Sequence, residues 1–122
     1  MKILIAEDDL MVQEMLSAFL TELGHEVRAF DNWTKLIQQA LESKPDLIIT
    51  DMHMPEMRGD SMIAMLEMYV PLAGVPIIML TGASAGEIKE AGIPEGVPVI
   101  AKPLDFAVLT AAINKVSARP GR

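Results

Sequence analysis

Short apolar runs and longer amphipathic stretches alternate along the chain, and this alternation is the feature that most restricts its fold. A short apolar run suits a buried strand, whereas apolar residues spaced three and four apart suit one face of a helix. Repeated strand–helix units build a parallel sheet that is covered by helices on both faces. We count five such units and predict an α/β fold with a doubly wound, five-stranded parallel sheet.

The predicted strands differ in how apolar they are, which indicates where each lies in the sheet. They are 2–6, 26–30, 47–50, 76–80 and 97–101, and the helices begin near 10, 32, 60, 84 and 105. The third strand is apolar almost throughout, as a central strand should be, whereas the second alternates and suits an edge. The residues predicted to face the core from the first two helices are Leu16, Phe19, Leu20 and Leu23, then Leu36, Ile37, Ala40 and Leu41.

Composition narrows the function classes. A chain of 122 residues, 51% apolar, suits one domain at 1–118 with a flexible tail at 119–122. The lack of cysteine excludes disulfide scaffolds, thiolate metal sites and cysteine nucleophiles. The net charge of −7 disfavours direct binding to nucleic acid or to an anionic membrane. Neither a secretory signal nor a membrane-spanning stretch is recognisable, so we expect a cytoplasmic protein.

Charged and hydroxyl side chains follow four of the five predicted strands at their carboxyl ends, where the functional groups of open parallel sheets collect. They are Glu7, Asp8, Asp9, Asp51, Thr81 and Lys102. Each has an ordinary explanation when taken alone, such as a helix N-cap for Asp8 or Asp9. Their shared position on one rim of the sheet favours a functional site.

The chemistry of these groups indicates a metal and a phosphoryl group. Two carboxylates about 4 Å apart repel by roughly 4 kcal/mol at an effective dielectric constant of about 20, so a cluster of three calls for a cation. All-oxygen ligands favour Mg²⁺, which often links carboxylates to a phosphate. Lys102 and Thr81 are suited to phosphoryl oxygens, and Asp51 is the natural nucleophile.

Four motifs follow one another in an order and spacing that the chain shares with a known family. They are Ile3-Leu4-Ile5-Ala6-Glu7-Asp8-Asp9, Asp51-Met52-His53-Met54-Pro55 with Gly59 after it, Leu80-Thr81-Gly82-Ala83, and Lys102-Pro103. By these motifs, and over nearly its whole length, the chain resembles the response-regulator receiver domains of two-component signalling, of the chemotaxis-regulator type. The resemblance implies a flavodoxin-like receiver fold of five strand–helix units.

The resemblance also implies the role of each site residue. Asp51 would accept a phosphoryl group from a histidine kinase or a histidine phosphotransfer protein, and Thr81 and Lys102 would contact that group. Asp9 and Asp51 would bind Mg²⁺ directly, Asp8 would act mainly through water, and the backbone carbonyl of His53 would complete the ligands. The family has a cis peptide at Lys102-Pro103, and a proline is where a cis bond costs least.

One departure from the family pattern concerns the residue three positions before Lys102. Members often have Tyr or Phe there, whereas this chain has Val99. The usual aromatic switch is therefore missing. Its absence slightly favours a protein that relays the phosphoryl group over one that binds a downstream protein allosterically.

Several functions remain open on the sequence. The favoured one is a phosphoacceptor that is monomeric before phosphorylation, switches or relays to a protein partner, and assists only its own phosphorylation and dephosphorylation. The chain could also be a receiver module of a hybrid kinase. A Mg²⁺-dependent aspartyl-phosphate phosphohydrolase usually has a second acid two residues after the nucleophile, where this chain has His53. A flavodoxin-like cofactor binder would need glycines in the acidic first loop.

Overall fold

The structure is a computed structural model that describes residues 1–54, 57–58, 64, 74–82 and 96–117. The strands are β1 (Lys2–Ala6), β2 (Glu26–Phe30), β3 (Leu47–Asp51), β4 (His53–Met54), β5 (Met57–Arg58), β6 (Ile77–Thr81) and β7 (Val99–Ala101). The helices are α1 (Leu10–Glu22), α2 (Trp33–Glu42) and α3 (Phe106–Ser117). The helix predicted to begin near 60 lies outside the described residues except for residue 64, and the helix predicted near 84 and the tail at 119–122 lie wholly outside them.

Five of the strands form one parallel sheet in the order β2-β1-β3-β6-β7. This arrangement confirms the predicted doubly wound sheet, with β2 at an edge and β3 in the centre, where all five of its residues are buried. The chain moves outward from β1 to β2 and then continues on the other side of β1 with β3. Such a reversal opens a crevice at the carboxyl ends of the two strands, where α/β proteins place their functional groups.

Two apolar clusters hold the sheet between its helices, because strand side chains point alternately to opposite faces. On one face, the strand residues Leu4, Ile48 and Met79 pack with Trp33 and Leu36 of α2. On the other face, the side chains of α1 and α3 cover the sheet. The buried residues of this cluster are Ile3, Ile5, Leu47, Ile49, Ile78, Leu80 and Ile100 of the sheet, Leu16 and Leu20 of α1, and Leu109, Ile113 and Val116 of α3.

Two leucines that the sequence predicts to face the core are instead exposed. Leu23 is 49% exposed and Leu41 is 43% exposed. Leu23 is the C-cap residue of α1, beyond its last turn, and the chain turns away at Gly24 with φ +95°. Leu41 lies about a quarter of a turn from the centre of the buried stripe of α2, which Trp33 and Ala40 help to form.

A second difference concerns the segment after β3, which lies outside the five strands predicted from the sequence. The structure has a short antiparallel pair there, in which His53 is opposite Arg58 and Met54 is opposite Met57. Among the helices that the structure describes, none has the length and apolar character needed to cross a membrane.

Replacing Leu36 by Ala should destabilise the protein, because this side chain is fully buried between α2 and the sheet. The expected loss in the free energy of unfolding is about 2–5 kcal/mol, the usual cost of a Leu-to-Ala cavity. The matched control is Leu41→Ala on the same helix, which should cost clearly less because 43% of that residue is exposed. Urea denaturation followed by circular dichroism measures both, and similar losses for the two variants would contradict the burial described above.

Candidate functional site

The register of the sheet brings the ends of four strands to one level. Ala6 is paired with Thr50, Asp51 with Leu80, and Thr81 with Ala101. At each of these four strands, the last residue or the one after it therefore lies at the same edge of the sheet, the rim formed by the carboxyl ends of the strands. Backbone hydrogen bonds extend the pairing by one step, because Glu7 N–H donates to the carbonyl of Phe30 at 3.0 Å and Lys102 N–H donates to that of Thr81 at 2.7 Å.

The ammonium of Lys102 bridges two carboxylates across this rim. Its Nζ lies 2.7 Å from Oδ2 of Asp51, and 3.0 and 3.1 Å from the two oxygens of Glu7. The Glu7 residue is fully buried and Asp51 is only 6% exposed, whereas the Lys102 side chain keeps 23% of its surface accessible. The peptide bond between Lys102 and Pro103 is cis, as the resemblance to the family implies.

Burial and charge shift two pKa values at this rim in the same direction. Loss of solvent raises the pKa of Glu7 above its ordinary value; the hydrogen bond from Lys102 opposes that rise, and the negative charge of Asp51 adds to it. Burial acts to lower the pKa of Lys102, but its hydrogen bonds to Asp51 and Glu7 outweigh this effect and leave the pKa raised. The ammonium is therefore held firmly in its charged form.

Asp8 joins Glu7 and Asp51 in an acidic trio. One carboxylate oxygen from each lies within 4.8 Å of the others, and Asp8 is the exposed member. With all groups ionised, three carboxylates and one ammonium leave two uncompensated negative charges. A divalent cation would balance that charge, and an all-oxygen ligand set of this kind fits Mg²⁺ better than zinc or copper.

The structure does not bring Asp9 into this trio, although the resemblance to the family implies that it binds the metal directly. Asp9 is the N-cap of α1, where its Oδ1 accepts hydrogen bonds from the backbone N–H groups of Met11 and Val12 at 2.9 and 3.3 Å. The third carboxylate beside Asp8 and Asp51 is that of Glu7. Two signals in the sequence point this way: Glu7 directly follows a buried strand, and Asp9 directly precedes a helix, where Asp is a preferred cap.

The remaining predicted site residues lie at the same rim or next to it. Thr81 is fully buried at the end of β6, while the space beside the Cα of the next residue is open, since a methyl group added at Gly82 would meet no heavy atom within 4 Å. The backbone of His53 follows Asp51 by two residues, in β4. Val99, which replaces the usual aromatic residue, is partly buried against the cluster on the α2 face.

Comparison with known protein families identifies the class of protein to which this fold and site belong. The sequence-family model of the response regulator receiver domain matches residues 3–114 of this chain. The chain is therefore a member of the receiver-domain family of two-component signalling.

Curated relatives match almost the whole chain. The "Probable transcriptional regulatory protein SilR" of Salmonella typhimurium is 35% identical over 120 residues, which cover 98% of this chain and 52% of SilR. The transcriptional regulatory protein CusR of Escherichia coli K12 is 33% identical with the same coverage of both chains. This chain thus spans about half the length of these relatives.

Solved structures agree with the fold. The chemotaxis protein CheY4 of Vibrio cholerae superposes with a TM-score of 0.84 at 28% identity, covering 94% of this chain and 97% of CheY4. The receiver domain of a Pseudomonas aeruginosa sensor histidine kinase superposes with a TM-score of 0.86 at 25% identity, covering 96% and 98% of the two chains. That domain has a magnesium ion coordinated in its active site cleft.

Replacing Glu7 by Gln should change how the stability of the metal-free protein depends on pH. Because the pKa of Glu7 is raised above 4.5, the folded protein binds this proton more tightly than the unfolded chain does. The resulting stability is complete below that pH and is lost as pH rises through the raised pKa. The free energy of unfolding of the wild type should therefore fall, relative to Glu7→Gln, as pH rises from 4.5 towards neutrality.

Urea denaturation at a series of pH values measures this difference. Glu42→Gln, at an exposed position of α2, controls for the loss of one negative charge. A wild type that instead gains stability relative to Glu7→Gln over the same pH interval would show that the Lys102 pair, and not burial, governs this carboxyl group.

Proposed function

We propose that this chain is a phosphoacceptor: Asp51 receives a phosphoryl group from a histidine kinase or a histidine phosphotransfer protein, in a Mg²⁺-dependent reaction. The observation that carries this proposal is the position of Lys102, whose ammonium lies 2.7 Å from Asp51 beside two further carboxylates. A buried nucleophile, a fixed cation and a cluster of oxygen ligands are the parts that phosphoryl transfer needs. The family assignment favours this function over a phosphohydrolase.

The acidic trio is the proposed metal site. We infer that Asp8 and Asp51 supply the oxygen ligands together with Glu7, directly or through water, and that the backbone carbonyl of His53 adds another. Asp9 is left out of the set, because its Oδ1 oxygen is committed to the N-cap of α1. When bound, Mg²⁺ would neutralise charge on the phosphoryl oxygens and help to bring them next to the acidic trio.

The chain's own residues carry out the transfer. An Asp51 oxygen forms the new bond to phosphorus as the phosphorus–nitrogen bond of the donor phosphohistidine breaks, and the departing imidazole keeps the electron pair. Lys102 pairs with the negative charge on the transferred group, since its ammonium already faces Asp51. Thr81, at the level of Ala101 on the neighbouring strand, supplies a hydroxyl donor from the adjoining strand end.

The output of the phosphorylated domain is proposed to be a protein–protein contact, either a switch or a further relay step. SilR and CusR are transcriptional regulators about twice as long as this chain. One proposed output is therefore the control of transcription by a protein that contains this domain. The receiver domain of a sensor histidine kinase among the structural relatives supports a second proposed role, as a receiver module in a hybrid kinase. We further propose that the domain works in the cytoplasm, is monomeric before phosphorylation and does not itself bind nucleic acid.

Incubating the protein with Mg²⁺ and a small acyl-phosphate donor should add one phosphoryl group, because Asp51 is activated independently of the donor protein. Intact-mass spectrometry measures the adduct. Asp51→Asn should abolish it, and chelation of Mg²⁺ should do the same. An adduct that persists in Asp51→Asn would contradict the assignment of the acceptor.

Replacing Lys102 by Met should separate metal binding from phosphoryl transfer. Removing a positive charge next to the acidic trio should tighten Mg²⁺ binding, whereas losing the charge that faces the phosphoryl group should slow phosphorylation about a hundredfold or more. Calorimetry and timed intact-mass measurements give the two quantities, with Lys115→Met on α3 as the control. Weaker Mg²⁺ binding together with an unchanged rate would contradict both roles.

A further inference from the structure

The turn between β1 and α1 is tied down on both sides of Asp8. The N–H of Glu7 continues the pairing with β2, and the Glu7 side chain is held by Lys102. The N–H of Asp9 donates to Oε1 of Glu7 at 3.2 Å, and the Asp9 side chain caps α1. Among the residues that the structure describes, no hydrogen bond or ion pair engages the Asp8 carboxylate itself. Its position is therefore set by the backbone around it.

Gln13 makes a further hydrogen bond to this turn, at the peptide group that joins Glu7 to Asp8. Its side-chain Nε2 donates to the backbone carbonyl of Glu7 at 3.0 Å. Its own N–H donates to the carbonyl of Asp9 at 2.9 Å, as part of the first turn of α1. Gln13 is thus attached to the turn through both its backbone and its side chain, and it is only partly exposed.

A hydrogen bond to this carbonyl restricts where Asp8 can point. The peptide group that joins Glu7 to Asp8 is planar, so holding its oxygen fixes the orientation of the whole unit from which Asp8 extends. Mg²⁺ tolerates little departure from octahedral geometry, so a small rotation of this unit weakens a site that uses the Asp8 carboxylate.

We propose that Gln13 is a positioning residue for the metal site: through the Glu7 carbonyl it fixes the direction of the Asp8 carboxylate and so sets the affinity for Mg²⁺. This inference rests on the proposed function, because it takes the acidic trio to be the Mg²⁺ site. It predicts that Gln13 affects metal binding without contacting the metal.

Two substitutions at Gln13 separate positioning from charge. Gln13→Met keeps the length of the side chain and removes the donor. Gln13→Glu also removes the donor, but it adds a negative charge, which by itself would strengthen the binding of a cation. Gln38→Met, at an exposed position of α2, is the matched control.

Calorimetric titration with MgCl₂ measures the affinity of each protein, and urea denaturation without metal measures its stability. We expect Gln13→Met to bind Mg²⁺ about tenfold more weakly, the lower end of what losing an outer-shell partner costs. Gln13→Glu should also bind more weakly than the wild type, and Gln38→Met should match the wild type. The dissociation constants, and not the stabilities, should separate the variants.

The outcomes distinguish failure of this inference from failure of the proposed function. If the wild type binds Mg²⁺ and Gln13→Met binds it equally well, Gln13 is only a structural residue and the inference is overturned. Tighter Mg²⁺ binding by Gln13→Glu would also overturn it, because the added negative charge, and not the orientation of the Asp8 carboxylate, would then set the affinity. If the wild type itself binds no Mg²⁺, the proposed metal site fails, and this inference fails with it.

Discussion

The ammonium of Lys102, held between the carboxylates of Glu7 and Asp51, is the interaction on which the rest of the site depends. Removing two carboxylates from water beside each other is costly, and a buried charge without a partner typically costs several kcal/mol. Lys102 offsets that cost with bonds of 2.7 to 3.1 Å to both acids. With all groups ionised, the acidic trio and Lys102 together keep two uncompensated negative charges, which a divalent cation at this rim would balance.

The sheet can hold these groups together because parallel strands end at one level. Glu7, Asp51 and Lys102 are far apart in sequence, yet each stands at the carboxyl end of a different strand of the same sheet. The apolar clusters on both faces fix the strands, so the site residues sit on rigid elements. The turn from Glu7 to Asp9 leaves the sheet, and it is held in place by its own hydrogen bonds and by α1.

Much of this arrangement could be predicted from the sequence, because the spacing of apolar residues indicates the strands and helices and the residues that follow each strand indicate the site. The central position of β3, the edge position of β2 and the gathering of Asp51, Thr81 and Lys102 on one rim all follow from patterns of apolar residues. The exchange between Glu7 and Asp9 does not, since consecutive acids differ only in where the strand stops and the helix starts. Likewise, the exposure of Leu41 depends on a rotation of a quarter of a turn, which spacing alone resolves poorly.

The most direct test of this account is a crystal structure of the protein soaked with Mn²⁺, an oxygen-preferring substitute for Mg²⁺ that can be located by its anomalous scattering. We predict one metal peak at the rim, coordinated by the carboxylates of Asp8 and Asp51, with Lys102 still next to Asp51 and with Asp9 capping α1. A metal bound by Asp9, or a peak only at a site away from the acidic trio, would contradict the account.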